Sequence, residues 1–219
     1  MSNSRIAVIS ATPLAMAPAA AAITHALPQV TVWNLLDDRL LPDAQAQGGV
    51  TQSLARRMDN LIEHALAGDA DGVLLTCSQY GQRAEARAAE HVPVLSADGP
   101  LFDEVVRRAP ERVLLVASLP SAAEDSTDRL GAALADAGAG TRITPLVVPA
   151  AARPLPAGEL ITVLRQAIDG AAEFDLVVLA QYSLAPAAAE LGRRLEVPVL
   201  DGPSAAARRL RTRIDGQRP

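Results

Sequence analysis

The sequence predicts an α/β fold built from two similar halves, each a doubly wound parallel sheet of the Rossmann or flavodoxin type. Three observations predict it: an internal repeat with a period of about half the chain, short apolar runs of Val, Ile and Leu, and amphipathic helical stretches between those runs. A short, continuous apolar run is typical of a strand buried on both faces, as in a parallel sheet. We expect a pseudo-twofold axis to relate the halves, with the active site in the cleft between them.

Three pairs of segments recur in the same order along the two halves. Each segment contains an apolar run followed by small or polar residues. The pairs are RIAVISATP at Arg5 with RVLLVASLP at Arg112, DGVLLTCSQ at Asp71 with DLVVLAQYS at Asp175, and VPVLSADGP at Val92 with VPVLDGP at Val197. Each segment is predicted to contain one buried strand.

Helices are predicted between these strands. QSLARRMDNLIEHALAG places apolar residues at helical spacing and ends on Gly68, a plausible C-cap, and ELITVLRQAIDG repeats this pattern in the second half. Alternating strands and helices indicate βαβ units. We therefore predict a first half over residues 1–103, completed by a C-terminal helix over 204–219, and a second half over 104–203.

Composition argues against several classes of partner. A formal net charge of -5 offers no attractive field to nucleic acid or to an anionic membrane surface. No apolar stretch reaches the ~20 residues that a membrane-spanning helix needs. The single cysteine cannot form an internal disulfide, and no Cys/His cluster offers ligands to zinc. We expect a cytoplasmic protein that binds a small molecule and has no structural metal.

Cys77 follows the apolar run in DGVLLTCSQYG and is the first candidate for chemistry. A lone cysteine in such a place is often only a small core residue. In parallel sheets, however, ligands bind at the carboxyl ends of the strands, and a junction with a following helix favours the reactive thiolate. Thr12, Ser118 and Gln181 also follow predicted strands, and Gln181 holds in the second half the position that Cys77 holds in the first.

These motifs resemble the aspartate/glutamate racemase superfamily, which includes aspartate, glutamate and hydantoin racemases, maleate isomerase and arylmalonate decarboxylase. The resemblance covers nearly the whole chain. It rests on ATPLAMAP after the first strand, LLTCSQYG around Cys77, VASLPS at the start of the second half and VVLAQYSLAP around Gln181. It implies a cofactor-independent enzyme, commonly a dimer, that acts on a small carboxylate by cysteine acid/base chemistry.

The second catalytic position departs from the family pattern. Racemases of this family use two cysteines, one on each face of the carbon next to a carboxylate. Cys77 matches the first, but Gln181 replaces the second, and an amide neither takes nor gives a proton. We therefore expect isomerisation or decarboxylation with a single acid. The alternatives are racemisation with an unrecognised second group, or a small-ligand-binding protein without catalysis.

Polar side chains after the strands are the candidate substrate ligands. The reaction builds negative charge on a carboxylate oxygen, and fixed hydrogen-bond donors stabilise that charge. The candidates are Thr12, Ser78, Gln79, Ser118, Tyr182 and Ser183. Each hydroxyl could instead be a helix N-cap. The histidines at 25, 64 and 91 are expected to be packing or solvated residues, because they lie in helices or before a strand.

Overall fold

The computed structural model describes residues 4–216, which form two compact units. One unit comprises the chain up to Pro100 together with the part from Pro203 onward, and the other comprises Leu101–Gly202. Each unit contains one four-stranded parallel sheet with helices packed on it.

The secondary structure alternates between strands and helices along the described chain. The strands are β1 (Arg5–Ser10), β2 (Thr31–Leu36), β3 (Gly72–Leu75), β4 (Val94–Leu95), β5 (Arg112–Ala117), β6 (Arg142–Val147), β7 (Leu176–Leu179) and β8 (Val199–Asp201). The helices are α1 (Met16–Ala26), α2 (Leu40–Ala46), α3 (Gln52–Ala67), α4 (Gly81–Glu85), α5 (Gly99–Arg108), α6 (Pro120–Asp136), α7 (Ala157–Asp169), α8 (Ala188–Leu195) and α9 (Gly202–Asp215). Short 3-10 turns cover Pro13–Ala15, Ser78–Tyr80, Pro149–Ala151 and Tyr182–Ala187.

The two sheets have the same topology. The strand order is β2-β1-β3-β4 in the first and β6-β5-β7-β8 in the second, and the pairings are parallel. The central strands also share a register, because Ile6 lies opposite Gly72 and Val113 lies opposite Leu176. The predicted α/β fold with two similar parallel-sheet halves is therefore confirmed.

The continuous apolar runs correspond to strands that are covered on both faces. β3 and β7 are buried along their whole length. On one face of the first sheet α3 contributes the buried residues Leu54, Met58, Ile62 and Ala65. On the other face Leu210 of α9 packs so closely that a Cβ at Gly72 would lie 3.0 Å from its Cδ2 atom and 3.1 Å from Cδ1 of Ile6. Burial on both faces removes the need for polar residues in alternation.

The structure adds a fourth strand to each half, β2 and β6, at the sheet edge. Their sequences, TVWNLL and RITPLV, are half-exposed and therefore lack a continuous apolar run. Pro145 lies within β6, and a proline is tolerated there because an edge strand has one side without ladder hydrogen bonds. Among residues 4–216, no helix is long and apolar enough to cross a membrane.

The amino ends of the two sheets carry the same carboxylate contact. The backbone N–H of Arg5 donates to Asp71 Oδ2 at 2.7 Å, and that of Arg112 donates to Asp175 Oδ2 at 2.9 Å. The Arg112 side chain also binds Asp175 and holds the pKa of that carboxyl below its usual value. The arginine and aspartate positions that the repeat pairs therefore perform the same structural role in both units.

Candidate functional site

Cys77 lies two residues beyond the end of β3, where the chain leaves the sheet. Its backbone is extended (φ -113°, ψ 117°), and it is the N-cap residue of the turn Ser78–Tyr80. The side chain is half-buried and packs against the core of the first unit. The following helical segment is one 3-10 turn and the five residues of α4. The thiol is thus held by packing yet keeps accessible surface.

Tyr80 anchors the turn that carries Cys77. Its hydroxyl donates to the backbone carbonyl of Leu40 in α2 at 3.0 Å, and its side chain is 1% exposed. Burial raises the pKa of Tyr80 to about 12, and negative charge on Cys77 acts in the same direction. Tyr80 is therefore a neutral hydrogen-bond donor at ordinary pH, and its contact with Leu40 positions the turn.

The segment bearing α2 is fixed by ion pairs to Arg57 of α3. The guanidinium donates to the two carboxylate oxygens of Asp37 at 2.6 and 2.5 Å and to Asp43 at 3.1 Å. Asp37 follows β2 directly, so these contacts lie at the carboxyl end of the sheet. Because Arg57 already binds two carboxylates, we assign it a role in holding α2, not in binding an anionic ligand.

The hydroxyls around the ends of β1 and β3 have structural partners. The Thr76 hydroxyl donates to Ser10 Oγ at 3.0 Å, and both side chains are buried. Thr12 caps the turn Pro13–Ala15, where its Oγ1 accepts a long hydrogen bond of 3.4 Å from the backbone N–H of Leu14. Thr12 is half-buried, so it lies at the expected edge of the sheet and performs the capping role that the sequence left open.

Gln181 occupies in the second unit the structural place of Cys77 in the first. It lies two residues beyond β7, has an extended backbone (φ -131°, ψ 142°) and is the N-cap residue of the turn Tyr182–Ala187. Its side chain is half-buried. A residue with acid/base capacity in one unit therefore corresponds to a neutral amide in the other.

Ser118 and Gln181 are brought into direct contact. Gln181 Oε1 lies 2.6 Å from the backbone nitrogen of Ser118 and 2.9 Å from its hydroxyl oxygen. Ser118 follows β5 directly and is 3% exposed. It is not a helix cap, since Leu119 is the N-cap residue of α6. Sequence reasoning placed both residues at this edge but did not find the contact between them.

The remaining predicted ligands belong to the turns after Cys77 and Gln181. In the first turn Ser78 is half-buried and Gln79 is exposed; in the second, Tyr182 is buried and Ser183 is half-buried. These four residues therefore belong to the turns that directly follow Cys77 and Gln181 along the chain.

Exposed leucines mark the carboxyl ends of three strands. The large apolar side chains with the greatest exposure are Leu14, Leu36 and Leu119, at 45%, 42% and 44%. They follow or end β1, β2 and β5. Sequence reasoning missed them, although Leu14 directly follows Pro13 and Leu119 directly precedes Pro120 in the segments that follow β1 and β5. They give these edges an aliphatic surface.

The histidines lie elsewhere, as predicted. His64 packs on Trp33, with ring centroids 5.3 Å apart, while His25 and His91 are exposed. Within residues 4–216 there is no group of three or more His, Cys, Asp or Glu side chains that could hold a metal ion.

A hollow of about 580 Å³ lies at the opposite, amino end of the second sheet, lined by residues 109–112 and 139–142. Two of its polar side chains are engaged in structural contacts: Arg112 binds Asp175 and Glu173, and the Thr141 hydroxyl donates to the carbonyl of Pro110 at 2.6 Å. The sequence-predicted residues Cys77 and Gln181 instead follow the carboxyl ends of β3 and β7, each within its own unit.

Comparison with known proteins shows the family and the fold of the chain. The profile of the Asp/Glu/Hydantoin racemase family matches residues 7–210. Aspartate racemase of Picrophilus torridus has a TM-score of 0.71 at 14% identity, covering 97% of this chain and 94% of that one. Allantoin racemase from Klebsiella pneumoniae has a TM-score of 0.68 at 19% identity, covering 97% and 88%. Unliganded arylmalonate decarboxylase has a TM-score of 0.61 at 20% identity, covering 98% and 94%. None of the curated protein sequences matches this chain significantly.

Proposed function

The chain belongs to the Asp/Glu/hydantoin racemase family, and we propose that it is a cofactor-independent enzyme that isomerises or decarboxylates a small carboxylate with the single thiol of Cys77. The observation that carries this proposal is the structural equivalence of Cys77 and Gln181. One position supplies an acid/base group and the other supplies an amide. Such a pair suits a reaction that needs one thiol, either as a proton donor on one face or as a nucleophile.

Decarboxylation of a malonate-like substrate needs one acid. The bond between the α carbon and the leaving carboxylate breaks, carbon dioxide departs, and the electron pair becomes the enediolate of the remaining carboxylate. The S–H group of Cys77 then gives its proton to the α carbon, and solvent reprotonates the thiolate. Negative charge accumulates on the remaining carboxylate, so fixed donors around it lower the barrier.

Isomerisation of an unsaturated dicarboxylate also needs one thiol. The thiolate of Cys77 adds to one carbon of the double bond, and the electron pair moves to the carboxylate of the other carbon. The resulting single bond rotates, the electron pair returns, and the thiolate leaves. Neither reaction requires a second base, which agrees with the amide at Gln181.

Substrate contacts are proposed for the polar residues around these two positions. The candidates are Thr12, Ser78, Gln79, Tyr182 and Ser183, with Ser118 acting through its contact with Gln181. The exposed leucines favour an aliphatic substituent on the substrate, because they offer apolar surface and the chain is only 2% aromatic. A dimer in the cytoplasm stays a prediction, and light scattering on the purified protein would measure the oligomeric state.

Proton NMR in D2O tests the proposal. The panel contains aspartate, glutamate, hydantoins, maleate and substituted malonates, each incubated with the parent protein, with Cys77→Ser and with Cys77→Ala. We expect one carboxylate to be transformed by the parent and by neither variant. Because Cys77 is the only cysteine, iodoacetamide labels one thiol, and activity should fall in proportion to that labelling.

The same experiment separates the alternatives. Deuterium incorporation with inversion at the α carbon would show that both faces are used and would contradict a single-thiol mechanism. Activity that survives in Cys77→Ser would contradict the role of the thiol. A protein that binds dicarboxylates but transforms no compound would be a binding protein of this family.

A further inference from the structure

We infer that Ser118 fixes the orientation of the Gln181 amide, so that Gln181 presents N–H donors to the ligand and recognises a carboxylate oxygen in preference to an ammonium group. The inference rests on the proposed function, because it names the group that the same site takes at its second position. It assigns Ser118 as a positioning residue and Gln181 as a substrate-binding residue.

The backbone of Ser118 decides which way the amide faces. A backbone N–H can only donate a hydrogen bond, so the amide atom 2.6 Å from the Ser118 nitrogen must be an acceptor. That atom is Oε1, and the Ser118 hydroxyl donates to the same oxygen at 2.9 Å. Turning the amide around would place Nε2 against the Ser118 N–H, donor against donor, and would leave a buried N–H without an acceptor.

The amide nitrogen is left to face other groups. Oε1 accepts two hydrogen bonds and so uses both of its lone pairs on Ser118. Within the described residues no hydrogen bond is recorded for Nε2, and the side chain is half-buried. Two N–H donors are thus available at the carboxyl end of β7, and an amide held by two contacts loses little entropy when it binds a ligand.

The first unit lacks this pair. By the repeat, the residue equivalent to Ser118 is Ala11, which has no hydroxyl, and the residue equivalent to Gln181 is Cys77. The hydroxyl therefore occurs in the unit where the amide occurs. This joint difference is expected if Ser118 and Gln181 act together. A Ser118 that only packed at the end of β5 would not account for it.

A fixed pair of N–H groups selects the chemistry of its partner. Carboxylate oxygens accept such donors well, whereas an ammonium group has only donors to offer and would face them unfavourably. Succinate and aspartate differ only by an α-ammonium group, so they form a matched pair of probes. We expect the site to bind succinate at least as tightly as aspartate.

Titration calorimetry on the Cys77→Ser protein measures this recognition without turnover. Three forms are compared: Gln181 retained, Gln181→Leu, which removes the donors, and Gln181→Glu, which keeps the shape and the acceptor for Ser118 but turns an oxygen outward. Succinate affinity should fall about tenfold with Gln181→Leu and further with Gln181→Glu, since the latter adds repulsion between carboxylates. Ser118→Ala should cost about threefold, and Ser118→Thr should restore the affinity.

The outcomes separate this inference from the proposed function. If Gln181→Leu weakens the binding of aspartate but not that of succinate, the amide oxygen faces the ligand and the inference is wrong. Unchanged succinate affinity in both Gln181 variants would also overturn it, while leaving the Cys77 chemistry intact. Failure of the Cys77→Ser protein to bind either dicarboxylate would count against the proposed function itself. Thermal melting of each variant distinguishes lost contacts from lost folding, because an effect on folding alone would weaken both probes in step with the melting temperature.

Discussion

Replacement of Tyr80 by Phe tests how the turn after Cys77 is held in place. The change removes a buried hydroxyl that donates to the Leu40 carbonyl at 3.0 Å and leaves that carbonyl without this donor. At neutral pH the free energy of unfolding should fall by about 1–2 kcal/mol. The side-chain volume hardly changes, so the loss is assigned to the hydrogen bond.

The same substitution should lose its effect in alkaline solution. Burial raises the pKa of Tyr80 to about 12 in the folded chain, whereas an exposed tyrosine titrates near 10. The stability from this group is therefore fully present below about pH 10 and is lost as the pH rises through about 12. The loss reaches roughly 1.4 kcal/mol near pH 11. Parent and Tyr80→Phe should then be about equally stable, and the order should reverse above that pH.

The chain is well suited to this assay, because all 20 of its basic residues are arginine. No lysine titrates in the alkaline range. Urea unfolding from neutral to alkaline pH gives the stability difference, and the tyrosinate absorbance of the parent minus that of Tyr80→Phe gives the titration of Tyr80, because Tyr182 is present in both proteins. A difference that stays constant with pH, or a Tyr80 that titrates like an exposed tyrosine, would refute the reasoning.

Two further predictions concern the framework. Gly68→Ala places a Cβ 2.7 Å from the far ring atoms of Trp33. We therefore expect the free energy of unfolding to fall by about 1 kcal/mol and the fluorescence of this single tryptophan to shift. The control Gly158→Ala, which has open space around the new Cβ, should be neutral or slightly stabilising. Unaltered Trp33 emission would contradict the contact. Asp175→Asn should destabilise at neutral pH, and because the folded pKa of Asp175 is lowered, the difference from the parent should shrink as acid protonates the parent carboxylate. Urea unfolding from neutral to acidic pH measures this stability difference, and the exposed Asp128→Asn serves as control. A difference between Asp175→Asn and the parent that grows in acid would contradict the prediction.

Strands with both faces buried were predictable from the sequence, and the half-exposed edge strands β2 and β6 were not. β1 and β3 each contain a continuous apolar run because helices cover both faces of the first sheet. β2 is half-exposed, and its TVWNLL mixes polar and apolar residues in a pattern that a loop or a helix end could also show. Pairing with β1 decides its structure, and such pairing is a long-range contact that local sequence does not report.

The two central residues of the candidate site were predictable because they lie at equivalent positions of the internal repeat. Cys77 and Gln181 follow matching strands, and the structure makes both of them N-cap residues of a 3-10 turn. The contacts around them were not predictable. The Ser118 bond to Gln181 and the Tyr80 bond to Leu40 join residues that are far apart in sequence and depend on side-chain direction.

The two central positions relate differently to folding. In the first unit Cys77 packs against the core, so its thiol is available for chemistry at little structural cost. In the second unit Gln181 is the acceptor for two buried donors of Ser118. A cysteine at 181 would provide only a weak acceptor on a shorter side chain and would leave those donors unsatisfied. A cysteine at position 181 would therefore destabilise the second unit. Removing the Ser118 hydroxyl as well would eliminate one unsatisfied donor, but the backbone N–H of Ser118 would still need a new acceptor. The hydrogen bonds to Ser118 therefore favour an amide at position 181, in addition to any ligand that the amide binds.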